Sequence, residues 1–114
     1  MIQYKEQQAT KTETNENGDI KLHLADLANF DSKNPKLRTF ALAQLKPGEE
    51  VKFHKHEGEC EYYYFISGVG LFDDNGQAVE IKPGMATYTP SGSSHGVKNT
   101  GDEMLEFIAL IVKD

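Results

Sequence analysis

The sequence predicts an all-β domain, a sandwich or barrel of short strands. Two observations carry this. Strand-like segments recur with turn signals every eight to twelve residues, and no stretch holds an apolar 3.6-residue period long enough for a useful helix. The turns are written in Pro-Gly, Ser-Gly and Asn-Gly pairs, which supply the fixed or positive φ that reverses a chain.

The elements follow in order. Residues 1–19 are polar and rich in Thr, Asn, Gln and Glu, and read as an N-terminal arm, partly mobile or exchanged between subunits. Glu16-Asn17-Gly18-Asp19 is a turn signal. Ile20, Leu22 and Leu24 alternate with Lys21 and His23, as in a short strand, although residues 24–30 also suit a helical turn. Asp31-Ser32-Lys33-Asn34-Pro35 is a loop. Strands are then expected over 38–45, 51–56, 61–66, 70–72, 77–81, 86–89, 95–98 and 103–112. The turn Asp73-Asp74-Asn75-Gly76 is a strong hairpin signal. The domain proper spans residues 20–114, in a chain of 114 residues, which fits one core and not two.

Composition narrows the partners. The formal net charge of −6 disfavours nucleic acid and anionic membrane. A single cysteine, Cys60, precludes an internal disulfide and agrees with a reducing compartment. Residues 1–8 lack the apolar stretch of a signal peptide, and the apolar run 107–112 is too short to span a bilayer, so a cytoplasmic protein is expected.

Chemistry concentrates in two segments, Gly48-x5-His54-x-His56-x4-Glu61-x6-Gly68 and Gly84-x5-Pro90-x-Gly92-x2-His95-x3-Asn99. They hold three of the four histidines. Residues i and i+2 of a strand share a face, so His54 and His56 can aim two imidazoles into one cavity. Glu61 and His95 can complete a three-nitrogen, one-oxygen set suited to borderline divalent metals. Isolated histidines on a barrel are usually surface residues; convergence of four donors with their turn residues argues for a metal site.

The two segments resemble the two signature motifs of the cupin superfamily, with every defining position filled over residues 48–99. Carried over, His54, His56, Glu61 and His95 resemble the metal ligands, and Gly48, Gly68, Gly84, Pro90, Gly92 and Asn99 the turn and scaffold positions. The resemblance implies a double-stranded β-helix, or jelly roll, holding one Mn, Fe, Ni, Zn, Co or Cu ion per chain. The short stretch 69–83 between the motifs resembles small single-domain bacterial cupins.

Alternation locates the neighbours of the site. Tyr63 and Phe65 should face inward with Glu61, Val97 and Asn99 with His95, and Lys52 with His54, unless a bulge intervenes. Tyr62, Tyr64 and Ile66 should face outward. Tyr63 is a weak catalytic candidate as proton donor, weighed against plain packing. Arg38, the one arginine, is a weak candidate clamp for a ligand carboxylate or phosphate, weighed against a surface ion pair. Cys60 should point away from Glu61, and His23 should face solvent. Met85, Tyr88 and Phe40 read as core packing before pocket wall.

Three functions fit. The first is a small metalloenzyme acting on an organic acid or carbohydrate-type substrate chelated to the metal, by dioxygenase, decarboxylase, isomerase or lyase chemistry. The second is a non-catalytic sensor or binding domain for a sugar or organic acid. The third is a metal-stabilised scaffold. A strand apolar on both faces needs cover on both, so residues 61–66 also predict a homodimer, the alternative being that residues 20–30 shield them.

Overall fold

A computed structural model describes residues 1–14 and 20–114. After a 3-10 turn at Lys5–Gln7 the described residues form ten strands. These are β1 (Thr10–Thr14), β2 (Ile20–Asp26), β3 (Leu37–Leu45), β4 (Glu50–Lys55), β5 (Glu59–Ser67), β6 (Gly70–Asp74), β7 (Gln77–Ile81), β8 (Ala86–Thr89), β9 (Ser94–Asn99) and β10 (Leu105–Lys113). All pairings are antiparallel and make two sheets, ordered β1-β2-β3-β10-β5-β8 and β4-β9-β6-β7. This is the expected jelly roll. The turn expected at 16–19 lies outside the described residues. Among the described residues no helix is long and apolar enough to cross a membrane.

The strands obey the alternation written in the sequence. Along β5, Glu61, Tyr63 and Phe65 are buried, while Tyr62, Tyr64 and Ile66 are exposed. Along β9, His95, Val97 and Asn99 are buried. The core between the sheets is built on Leu45, Phe65, Phe72, Ile81, Leu105 and Phe107. Each such side chain contributes about 1.5–3 kcal/mol by leaving water. Leu22 and Leu24 join this core; they therefore do not shield the outer stripe of β5. The chain continues as strand through Asp26 and then bends, so no helical turn forms over 24–30.

Turn chemistry behaves as the sequence implies. Asn75 and Gly76 both have positive φ, 51° and 100°, as a two-residue hairpin of the primed type requires. Gly68 has φ 84°, and a Cβ there would lie 2.5 Å from the Met104 carbonyl oxygen. Asn99 ties three loops together: its Nδ2 donates to the carbonyls of Leu45 (2.8 Å) and Glu103 (2.7 Å), and its Oδ1 accepts from Gly101 N (2.9 Å).

Of four register shifts among the described strand pairs, two lie beside the site. On β4 the register shifts between Val51, opposite Val97, and His54, opposite His95. Val51 takes the inward place, and Lys52, expected inward, is exposed together with Phe53. On β3 the register shifts between Thr39, opposite Ile111, and Leu37, opposite Val112, which leaves Arg38 as the extra residue. Bulges of this kind re-aim side chains beside sites.

His23 also departs from expectation. It is part-buried, its Nε2 lying 3.1 and 3.3 Å from the Glu49 carboxylate. Phe40 and Tyr88 stand exposed on the outer face, while Met85 packs on the core. Cys60 is partly buried between inward Glu59 and Glu61.

Candidate metal centre

His54 is the penultimate residue of β4, His56 lies just past its end, Glu61 comes from β5 and His95 from β9, so the four donors bridge the two sheets. Their ligand atoms all lie within 4.8 Å of one another. The second motif pins the first. His56 N donates to Ser93 O (3.0 Å) and Gly92 N donates to His56 O (2.7 Å), so the Pro90-x-Gly92 turn fixes the backbone of His56.

The inner atoms crowd. His56 Nε2 is 3.0 Å from His54 Nε2, 3.0 Å from His95 Nε2 and 2.9 Å from Glu61 Oε1. His95 Nε2 is 2.9 Å from the same Glu61 oxygen. The outer nitrogens explain which atoms carry protons. His54 Nδ1 lies 2.7 Å from the Lys52 carbonyl, which can only accept, so Nδ1 donates and Nε2 carries a lone pair. His56 Nδ1 donates to Glu59 Oε2 at 2.8 Å. His95 Nδ1 lies 2.8 Å from the Thr89 hydroxyl.

A proton cannot hold this arrangement. One hydrogen on His56 Nε2 could satisfy one of its three close neighbours and would leave the other lone pairs facing each other. A divalent cation at the centre satisfies all four at once. Donors about 2.1 Å from a common ion, at right angles, lie about 3.0 Å apart, which is the spacing found. The residues present therefore fit a borderline divalent metal, three imidazoles and one carboxylate being its ordinary ligands. Burial, opposed by the Lys52 hydrogen bond and aided by the neighbouring imidazoles, lowers His54 below its ordinary 6.5.

Behind the ligands stands a carboxylate that sequence reasoning missed. Glu59 is buried, with Oε2 on His56 and Oε1 on Arg38. Burial pushes its carboxyl up, but the Arg38 and His56 hydrogen bonds prevail and hold it below the ordinary range. Such outer carboxylates fix the tautomer and orientation of a ligating histidine. The available signal was a glutamate two residues before Glu61, on the same face of β5.

Tyr63 stacks on the His95 ring, with centroids 5.0 Å apart and planes 26° apart. Burial, with the Glu61 and Glu13 charges, holds its hydroxyl well above 10, so it remains a donor at neutral pH. A cavity of about 670 Å³ opens over the site, lined among others by His54, His56, Glu61, Tyr63, Arg38 and Glu13. Its apolar wall includes Leu22, Leu24, Val51, Phe107 and Ile111. The structure thus gathers the four expected ligands into one cluster, with both weaker candidates at the cavity beside them.

Known proteins resemble this chain. A cupin domain family profile matches residues 41–111. An oxalate-binding protein of Thermotoga maritima is 45% identical over 95 residues, 83% of this chain and 78% of that protein. Oxalate decarboxylase of Bacillus subtilis is 32% identical over 99 residues, 82% of this chain but 25% of that protein. A crystal structure of a predicted oxalate decarboxylase from Thermotoga maritima superposes with a TM-score of 0.88 at 39% identity, covering 100% of both chains. With the fold, the motifs and the family match in agreement, this chain belongs to the cupin family.

Proposed function

We propose that this protein captures a small dicarboxylate of the oxalate type on one divalent transition metal held by His54, His56, Glu61 and His95. The observation that carries the reading is the crowding of Nε2 lone pairs at 3.0 Å, which calls for a cation. When bound, the metal supplies a positive centre that takes ligand oxygens and polarises a carboxylate. The chain's own groups do the rest. Arg38, engaged by Glu59 through Nη1 and lining the cavity, draws the anion inward. The apolar wall restricts the ligand to a small acid. The name of the Thermotoga maritima relative supports oxalate as the first ligand to test.

Calorimetry of metal-loaded and chelator-stripped protein with oxalate, glycolate and acetate tests this. Oxalate binding that requires metal is expected. Equal binding by the stripped protein would refute it. A second reading, turnover of the bound acid by a decarboxylase, rests on Tyr63, a buried hydroxyl that stays protonated beside Glu61; release of formate from oxalate tests it.

A second copy of the chain is the proposed cover for the outer face. Phe40, Leu110, Tyr62 and Tyr88 lie in one row of Cα partners across β3, β10, β5 and β8, with Leu42, Ile108 and Tyr64 in another. Phe40, Tyr62, Tyr64, Ile66 and Tyr88 are 37–51% exposed. At about 200 Å² per large side chain these five alone offer about 400 Å², half of what each partner gives a standard interface. Twofold symmetry pairs this face with itself. A monomer by sedimentation at micromolar concentration would end the dimer proposal. Placement in the cytoplasm remains part of the same proposal and rests on the charge and the single cysteine.

A further inference from the structure

Strand β1 has no apolar residue, its sequence being Thr-Lys-Thr-Glu-Thr, and four of its five residues are exposed. It is the terminal strand of its sheet and pairs with β2. Packing therefore does not explain its composition. Charged residues on an edge strand commonly serve to block edge-to-edge association, which requires only that they face solvent. Glu13 does something else. It is the one half-buried residue of β1 and lines the metal cavity, as does Lys11 on the same side of the strand. Arg38 and Tyr63 line the same cavity.

The other acids lining this cavity are committed. Glu61 is a metal ligand, Glu59 bridges His56 and Arg38, and Glu57 pairs with Lys55 at 3.0 Å on the surface. Among the described residues, the partner of Glu13 is Lys11, at 3.5 Å, with side chains 42% and 67% exposed. A pair so exposed is weak. Glu13 is thus a weakly paired negative charge on the cavity that Arg38, held through one nitrogen by Glu59, also lines.

We propose that Glu13 determines the charge selectivity of the cavity, acting as a built-in competitor for Arg38 that limits how strongly a dianion is preferred over a monoanion. The inference rests on the metal-dependent acid binding proposed above. In physical terms, a ligand of charge −2 feels twice the repulsion of one of charge −1 at the same place, so the Glu13 charge penalises oxalate more than glycolate. Its consequence is an exchangeable ligand instead of one held irreversibly by metal and arginine together. Lys11, adjacent on the strand, acts with the opposite sign.

The experiment measures dissociation constants of oxalate and glycolate at low ionic strength, with metal content checked first. The proteins are wild type, Glu13→Gln, Glu13→Asp and Lys11→Met, each loaded with the same metal. Removing one unit charge from the cavity wall should tighten oxalate about tenfold and glycolate about threefold. The oxalate preference of Glu13→Gln should therefore rise about threefold. Glu13→Asp should keep the wild-type ratio and Lys11→Met should lower it. The Glu13→Gln difference should shrink in about 0.5 M salt, which a merely structural role would not produce. An unchanged ratio in Glu13→Gln, with both acids binding, overturns the role of Glu13 alone. Binding of neither acid by wild type overturns the functional reading and this inference with it.

Discussion

Gly96 is where the proposed metal site depends on the absence of a side chain. A Cβ built there would lie 2.9 Å from Phe53 N, 2.9 Å from Val51 O and 3.0 Å from Phe53 Cα, all backbone atoms of the β4 bulge. Ordinary carbon contacts need about 3.5 Å or more, so Gly96→Ala must push the bulge outward by about 0.5 Å. That bulge delivers His54, opposite His95 on the neighbouring strand. Metal sites hold ligand distances to about ±0.2 Å, less than half of the displacement. The expected cost is about 1–3 kcal/mol of stability, as for other overpacked sites, together with at least a tenfold loss of metal affinity. Thermal melts in chelator read the first; competition against a chromophoric chelator reads the second. Gly70→Ala is the control. Its Cβ would lie 2.6 Å from the Lys98 carbonyl oxygen, four residues along β6 from Asp74, the partner of His95. It should destabilise without loss of metal affinity. Wild-type affinity in Gly96→Ala, or an equal affinity loss in Gly70→Ala, would refute the reasoning.

Three further outcomes follow from the same geometry. Glu59→Gln should weaken metal binding about 10–100-fold, because His56 loses its charged acceptor; the same titration measures it, and unchanged affinity would contradict the positioning role. Metal at 100 times its dissociation constant should stabilise the protein by about 2.7 kcal/mol, and the gain should vanish in the double variant His54→Ala, His56→Ala; identical melts of wild type with metal and with chelator would count against a preformed site. For pH, the folded state holds His54 below 6.5, so as pH falls through 6.5 the unfolded chain takes up that proton first. The metal-free protein should therefore lose stability as pH drops from about 6.5 toward the lower folded value, and His54→Gln should flatten that slope; equal slopes in both proteins would remove His54 as the cause.

Much of this molecule was legible before folding because its signals are local. The Asn75-Gly76 turn needs two positive φ values, and those residues accept them. The alternation of Glu61, Tyr63 and Phe65 against Tyr62, Tyr64 and Ile66 is a property of any strand, and burial followed it. The N-terminal arm was harder: Thr10–Thr14 has no apolar pattern, and it becomes a strand only because β2 presents an open ladder.

What the sequence determined by itself was the chemistry available: which side chains can ligate, which face of each strand they share, and where turns return them. The clustering of His54, His56, Glu61 and His95 was legible because motif spacing encodes strand register. Tertiary structure alone decided the outer layer of the site. Lys52 left the inward face because a bulge accommodated by Gly96 adds a residue to β4. Arg38 turned to Glu59 because a second bulge interrupts β3. Glu13 reached the cavity because pairing with β2 carried it there. Bulges and long-range pairings balance packing across strands distant in sequence, so no single segment contains the information that fixes them.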